Sequence, residues 1–323
     1  MALVTYLLGA GASARALPVV NQLSDSIYGL VDKLKQIAIQ DNTALQSVVD
    51  DLDWLAEKAK HENNTTIDTF AKQLYLRGEG EDYKRLIAAL SLYFVLKQSN
   101  PNCLDRRYCD FWTNILNIDK SHTIGHPENL LLLSWNYDAQ VEKAYHEVVK
   151  NHFKSFRVKN RKHTWDTANP LLIKLNGSAD FLNEEDFGNK LSMLYNWNTP
   201  KTTEEIVGRY EGAKKHSILS FAWLAEYSTQ NNEASPTISA AQQHAKLTEV
   251  LVIIGYSLPY FNREIDRLIA GANNMKLLTK VYFQAPEKYV GSIKMRFQAI
   301  RDTKNIELIS ITDLDQFFIP PEL

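Results

Sequence analysis

Cysteine is scarce: Cys103 and Cys109 are the only two in 323 residues. They can form at most one bridge and cannot build a four-cysteine zinc cluster, and a reducing cytoplasm is the simplest compartment for such a chain. An excess of basic residues is missing too. Lys and Arg number 36 against 38 Asp and Glu, a formal net charge of −2, whereas a dedicated nucleic-acid binder is usually clearly basic. No stretch approaches the ~20 consecutive apolar residues that span a bilayer. The apolar opening, Met1 to Leu8, has no Lys or Arg ahead of it and only the length of a buried strand, so it reads as a strand and not as a leader, despite the small run Ala12-Ser13-Ala14 after it. Internal repeats and low-complexity segments are also absent. What is present is ordinary for a folded protein: 45% hydrophobic and 23% charged residues, too apolar and too balanced for a disordered chain. A chain this long buries roughly three quarters of its unfolded surface, and the order of its motifs predicts one domain over 1–323.

After the first apolar run comes Gly9-Ala10-Gly11-Ala12-Ser13, a tight turn leading to a helix start. From about 19 to 126 the pattern is helical, with Ile27, Leu30, Val31 and Leu34, then Leu52, Leu55 and Ala59, then Leu86, Leu90, Tyr93 and Phe94 at spacings of three and four. Turn signals divide these helices at Glu62-Asn63-Asn64, Gly78-Glu79-Gly80 and Asn100-Pro101-Asn102. Strand-like runs follow at Leu130 to Trp135, Leu171 to Leu175, Val250 to Ile254, Val281 to Phe283 and Ile306 to Ile309, with a helical stretch over Ser292 to Arg301. Continuous apolar runs separated by helices predict an α/β doubly wound parallel sheet with a large helical insertion. The stretch from about 183 to 245 reads as a second, variable insertion, and its polar run from Ser228 to Pro236 reads as a mobile surface loop.

Ligands of open parallel sheets bind beyond the carboxyl ends of the strands. Four of the runs end in small or amide and carboxylate residues: Gly9-Ala10-Gly11-Ala12-Ser13, Asn136-Tyr137-Asp138, Asn176-Gly177-Ser178 and Gly255-Tyr256-Ser257-Leu258. Gly9 and Gly11 admit two readings of equal weight, a backbone that approaches a diphosphate at a helix N-terminus or close strand–helix packing. The turn lacks the Lys-Ser/Thr of an ATP-binding loop and the third glycine of the dehydrogenase fingerprint, which disfavours both activities. Asp138 likewise reads as a helix N-cap or as a ligand contact. Tyr256 to Phe261 reads as packing or as a pocket wall. The basic run Lys159 to His163 reads as a solvated loop, and His146 as a surface or satisfied core residue.

The succession Gly-Ala-Gly-x-Ser, Asn-x-Asp, x-Gly-Ser and Gly-x-Ser-Leu resembles the sirtuin catalytic domain. It is more closely similar to the sirtuin-like NAD-cleaving domains of bacterial antiphage defence systems, with further likeness in Ile67 to Lys72, Asp105-Arg106-Arg107-Tyr108 and Ser134 to Asp138. The resemblance implies a Rossmann-like fold without a zinc ribbon, NAD+ as substrate, no metal, and a separate sensor or regulatory subunit in an oligomeric, cytoplasmic complex with neither membrane nor direct nucleic-acid contact. It also implies that Asn136 positions water by the nicotinamide ribose and Asp138 holds the carboxamide. Gly9, Ala10, Gly11 and Ser13 would cradle the diphosphate. Gly255 and Ser257 would lie by the adenosine ribose and Gln284 by the adenine, with Tyr256, Gly177 and Ser178 completing the site.

The chain departs from the deacetylating sirtuins because two cysteines cannot make their zinc module. It departs again at Lys174-Leu175-Asn176-Gly177-Ser178, where the family usually carries a His-Gly pair with histidine as general base. Asn176 is an amide and takes no proton near neutral pH. Cleaving a bond to an already cationic leaving group depends more on positioning and electrostatics than on a base, so Asn136 and Asn176 orienting water remain a catalytic expectation. A non-catalytic NAD- or ADP-ribose-binding subunit is the alternative.

Overall fold

The computed structural model describes residues 3–38, 43–60, 66–100, 102–118, 124–149, 158–159, 171–179, 200–216, 219–224 and 236–323. Seven strands form one sheet: β1 (Leu3–Leu8), β4 (Leu130–Ser134), β5 (Val158–Lys159), β6 (Leu172–Lys174), β7 (Thr248–Ile254), β8 (Lys280–Gln284) and β9 (Glu307–Ile311). A separate antiparallel pair, β2 (Asn117–Ile118) and β3 (Ile124–Gly125), interrupts a stretch that periodicity predicts to be helical. The order across the large sheet is β5-β6-β4-β1-β7-β8-β9. Every pairing in it is parallel. From β1 the chain builds outward to β4 and β6, then crosses back and builds the other way through β7, β8 and β9. The reversal between β1 and β7 is the switch point of a Rossmann-like doubly wound sheet.

Alternation along the strands divides the apolar runs between two faces. One face sends Leu7, Leu131, Leu133, Leu251, Ile253 and Phe283 against helices α8 (Pro236–Ala245), α9 (Arg263–Ala270) and α10 (Glu287–Gln298). The other sends Val4, Tyr6, Leu8, Leu132, Val252 and Tyr282 against α5 (Arg106–Ile115) and α6 (Gln140–Val149). This is why the runs read as continuously apolar: both faces are covered.

The insertion builds a third cluster from α1 (Leu23–Ala38), α2 (Thr43–Lys58), α3 (Ile67–Leu76) and α4 (Gly80–Ser99). Most of α4 beyond its first turns is buried, as befits a helix apolar on all sides. Two features differ from the pattern in the sequence. Helix α5, within the 19–126 span, packs on the sheet and not on the insertion. Helix α7 (Pro200–His216), from the second variable stretch, joins the insertion through Ile206, Tyr210 and Ala213, and the Tyr210 hydroxyl donates to Asp51. The Ser228-to-Pro236 loop lies outside the described residues apart from Pro236, which opens α8. His163, Glu62-Asn63-Asn64 and most of the basic run lie outside them too.

Candidate functional site

Strand register aligns the site before any side chain is considered. Lys174, Ser134, Leu8, Ile254 and Gln284 pair in succession across the sheet. The residues that follow them therefore emerge side by side at one edge. There a cavity of about 180 Å³ opens, with Gly9, Ala10, Ser13, Trp135, Asn136, Tyr137, Asp138, Asn176, Gly255, Tyr256 and Ser257 in its walls. Asp68, Phe94, Phe261 and Asn262 are also among its lining residues. Pockets that enclose whole drug-sized ligands run to about 300–1,000 Å³, so this one is too small to enclose a whole dinucleotide.

The glycine turn packs against the turn after β7. A Cβ on Gly9 would sit 2.6 Å from Tyr256 Cα, and one on Gly11 would sit 2.8 Å from Gly255 Cα. Gly9 N donates to Ile254 O at 3.0 Å and Gly11 N to Gly255 O at 2.9 Å. Both glycines are thus explained by close approach of two backbones, and their N–H groups are already engaged. The segment that follows is a single 3-10 turn, Ala10–Ser13. A backbone cradle for a diphosphate made from the Gly9 and Gly11 donors does not fit this geometry. Beneath the turn, Arg107 Nη2 donates to Gly11 O at 3.3 Å and Ala12 O at 3.1 Å, and to Asp105 at 2.6 Å. The Asp105-Arg106-Arg107-Tyr108 stretch is the clamp that holds the turn in place.

Asn136 is 7% exposed. Its Nδ2 donates to Gly9 O at 3.1 Å and Ser13 Oγ at 3.3 Å. Two acceptors on the nitrogen set the orientation of the amide, which leaves Oδ1 as the acceptor available at the pocket wall. Asp138 is a helix cap that also reaches the cavity wall. Its Oδ1 accepts from Gln140 N at 3.0 Å at the start of α6, and it also lines the cavity. Burial raises its carboxyl above the usual range, opposed chiefly by the Lys174 ammonium. Lys174, 1% exposed, donates to the Asp138 carbonyl and, at 3.1 Å, to Glu142 Oε1.

Asn176 is held at both ends. Nδ2 donates to Trp135 O at 3.0 Å, and Oδ1 accepts from Ala222 N at 2.9 Å. The Asn176 amide thus joins the end of β4 to the 219–224 segment, and the residue also lines the cavity. Gln284 is likewise engaged: Nε2 donates to Asp313 O and Gln316 O, both at 2.6 Å, and Oε1 accepts from Phe318 N at 3.0 Å. It ties down the C-terminal segment and does not line the cavity. Gly11, Gly177 and Ser178 also lie outside the lining. Gly177 has φ +67°, which its turn requires.

Aromatic walls surround the polar floor. Trp135 and Tyr256 stack with centroids 5.5 Å apart and planes at 17°. Tyr256 OH donates to Asp266, 3.0 Å from either carboxylate oxygen, and accepts from Asn262 Nδ2 at 3.1 Å. Burial lifts Asp266 well above the usual carboxylate range, with Tyr256 opposing; the Trp135 indole favours the ionised form from outside hydrogen-bond geometry. Leu258, on the same loop, has φ +51°, a left-handed conformation that costs a non-glycine residue of order 1–3 kcal/mol and is concentrated at functional sites.

Asp68 and Tyr137 also line the cavity, and neither had an assigned role in the sequence. The Tyr137 hydroxyl donates to Asp68 Oδ1. Burial pushes Asp68 up to about 6, with that hydrogen bond opposing. In the sequence Asp68 looks like any acid in a first helical turn, where it complements the helix dipole. Its one signal was membership of the Ile67–Lys72 stretch. Neither His126 nor His146 lines the cavity. Among the described residues no Lys, Arg or His does, no His/Cys/Asp/Glu group is arranged to hold a metal ion, and no helix is long and apolar enough to cross a membrane. Compared with known proteins, the chain matches no family model and no curated protein.

Proposed function

We propose that this protein cleaves the nicotinamide–ribose bond of NAD+, giving nicotinamide and ADP-ribose, in the cavity at the β1/β7 reversal. The observation that carries the reading is the lining itself: aromatic walls, the Asn136 amide, and the carboxylates Asp68 and Asp138, with no cation among the described lining residues. Such a pocket suits a positively charged ring and the oxocarbenium-like centre that glycosidic cleavage develops. It does not suit a diphosphate. The pyrophosphate and adenosine would therefore extend outward past Ala10 and Ser257, where Arg296 Nη1 donates to Ser257 O at 2.7 Å. Asn136 Oδ1 accepts from the attacking water or a ribose hydroxyl, and Trp135 and Tyr256 flank the ring. The defence setting rests on the resemblance to sirtuin-like effectors. An NAD-cleaving enzyme without control would deplete its own cell, so activity is held until a partner subunit or signal releases it.

One observation favours a second reading. Asn176 offers no base and its amide is bonded at both ends, which suits a subunit that binds NAD+ or ADP-ribose without chemistry. Nicotinamide release separates the two. The chain, alone and co-expressed with its neighbouring gene products, is expected to release nicotinamide, and Asn136→Ala is expected to reduce that release at least 100-fold. NAD+ binding with no release under any condition would leave the binding reading.

A further inference from the structure

Hydrolysis needs an acceptor for the water proton, and Asn176 cannot be it. Among the described residues two carboxylates, Asp68 and Asp138, line the cavity. Asp138 is engaged as the cap of α6 and its carbonyl holds Lys174. Asp68 comes from outside the sheet altogether, from the first turn of α3 in the insertion. That turn is anchored by Thr66 Oγ1, which accepts from Thr69 N at 3.1 Å. Asp68 is half-buried and lines the cavity. Its Oδ1 takes the hydroxyl of Tyr137, the residue immediately after Asn136. The insertion and the β4 end are thereby joined at the pocket wall, with a carboxylate one residue removed from the amide that would hold water.

We propose that Asp68 is the general base of this site, supplied by the helical insertion in place of the histidine at the β6 end. This rests on the cleavage reading. As the C1′–N bond breaks, its electron pair leaves with nicotinamide, which departs neutral. Water oxygen bonds to C1′, and its proton passes to the Asp68 carboxylate and from there to solvent. NAD+ and water thus give nicotinamide, ADP-ribose and one proton. Tyr137 is a positioning residue that holds the carboxylate and favours its ionised form. A carboxylate raised to about 6 by burial is ionised at neutral pH and more basic than a surface aspartate. The groups that face it are Tyr137 with Tyr83 behind, Asp138 from the β4–α6 connection, and Tyr256 from the β7 turn.

The test compares nicotinamide release and NAD+ binding for the wild-type chain, Asp68→Asn and Tyr137→Phe, across pH 5–8, each with its neighbouring gene products. Asp68→Asn is expected to bind NAD+ within about threefold of wild type and to release nicotinamide about 100-fold or more slowly, without the acid limb near pH 6. Tyr137→Phe is expected to move that limb to higher pH. It keeps the proposal falsifiable if Asp68→Asn fails to fold. Release by Asp68→Asn within threefold of wild type, or an unmoved limb in Tyr137→Phe, overturns the assignment while cleavage stands. Absence of release from the wild type in every condition overturns both.

Discussion

Gly255 shows what single residues do here. Its φ is +62°, and a Cβ there would lie 2.2 Å from Ala12 N, so both conformation and space require glycine. Gly255→Ala is expected to cost roughly 3 kcal/mol by urea denaturation, since overpacking against backbone has no flexible atom to yield. Gly29 is the contrast, an exposed position in α1 with nothing within 4 Å of its missing Cβ. Gly29→Ala should add about 0.5–1 kcal/mol in the same assay. Asn176 is the third case. Because its amide bridges Trp135 O and Ala222 N, Asn176→His should lose about 1–3 kcal/mol instead of gaining activity. A thermal melt beside a nicotinamide assay checks both halves of that expectation.

At the scale of elements, the site is an agreement between turns. The glycine turn is held from two sides, by the turn after β7 and by the clamp at the start of α5, and Arg107 is the clamp's contact with it. Arg107 is 6% exposed and bonded to Asp105, which is 0% exposed. Arg107→Ala removes that carboxylate's buried counter-charge and frees two carbonyls of the turn, so a loss of about 3–5 kcal/mol is expected from chemical denaturation. The elements themselves were legible in the sequence because parallel strands covered on both faces are apolar throughout, and their ends are marked by glycine and amide residues. What those ends do was less legible. Gly9 and Gly11 fit a phosphate cradle and a backbone crossing equally well until β7 is brought alongside. Asp68 and Asn136 lie far apart in sequence, and only the packing of α3 on the β4 end brings them to one cavity. The docking of α7 on the insertion was hidden for the same reason, since no local pattern encodes which distant helix an amphipathic face will meet.

The whole molecule carries a pH signature that follows from Asp68. A carboxyl whose folded value is raised from 3.8 to about 6 binds its proton more tightly in the folded state. Its contribution to stability is therefore present below about pH 4 and is lost as pH rises through about 6. Asp68→Asn should remove that fall, so its melting temperature, relative to wild type, should rise between pH 4 and pH 7. A parallel decline in both proteins would mean that another group carries the effect. Across the molecule the insertion is more than decoration on a sheet. It contributes a carboxylate, Phe94 and Ile67 to a cavity whose other wall is made by four strand ends.

In the function proposed above, this cavity would receive the nicotinamide end of NAD+. The most direct measurement is a structure of Asn136→Ala, slowed in turnover, with NAD+ bound. The nicotinamide ring is expected inside the cavity beside Trp135 and Tyr256, with Asp68 near C1′ and the diphosphate outside, past Ala10 and Ser257. A diphosphate seated in the cavity, or NAD+ bound elsewhere on the molecule, would contradict it.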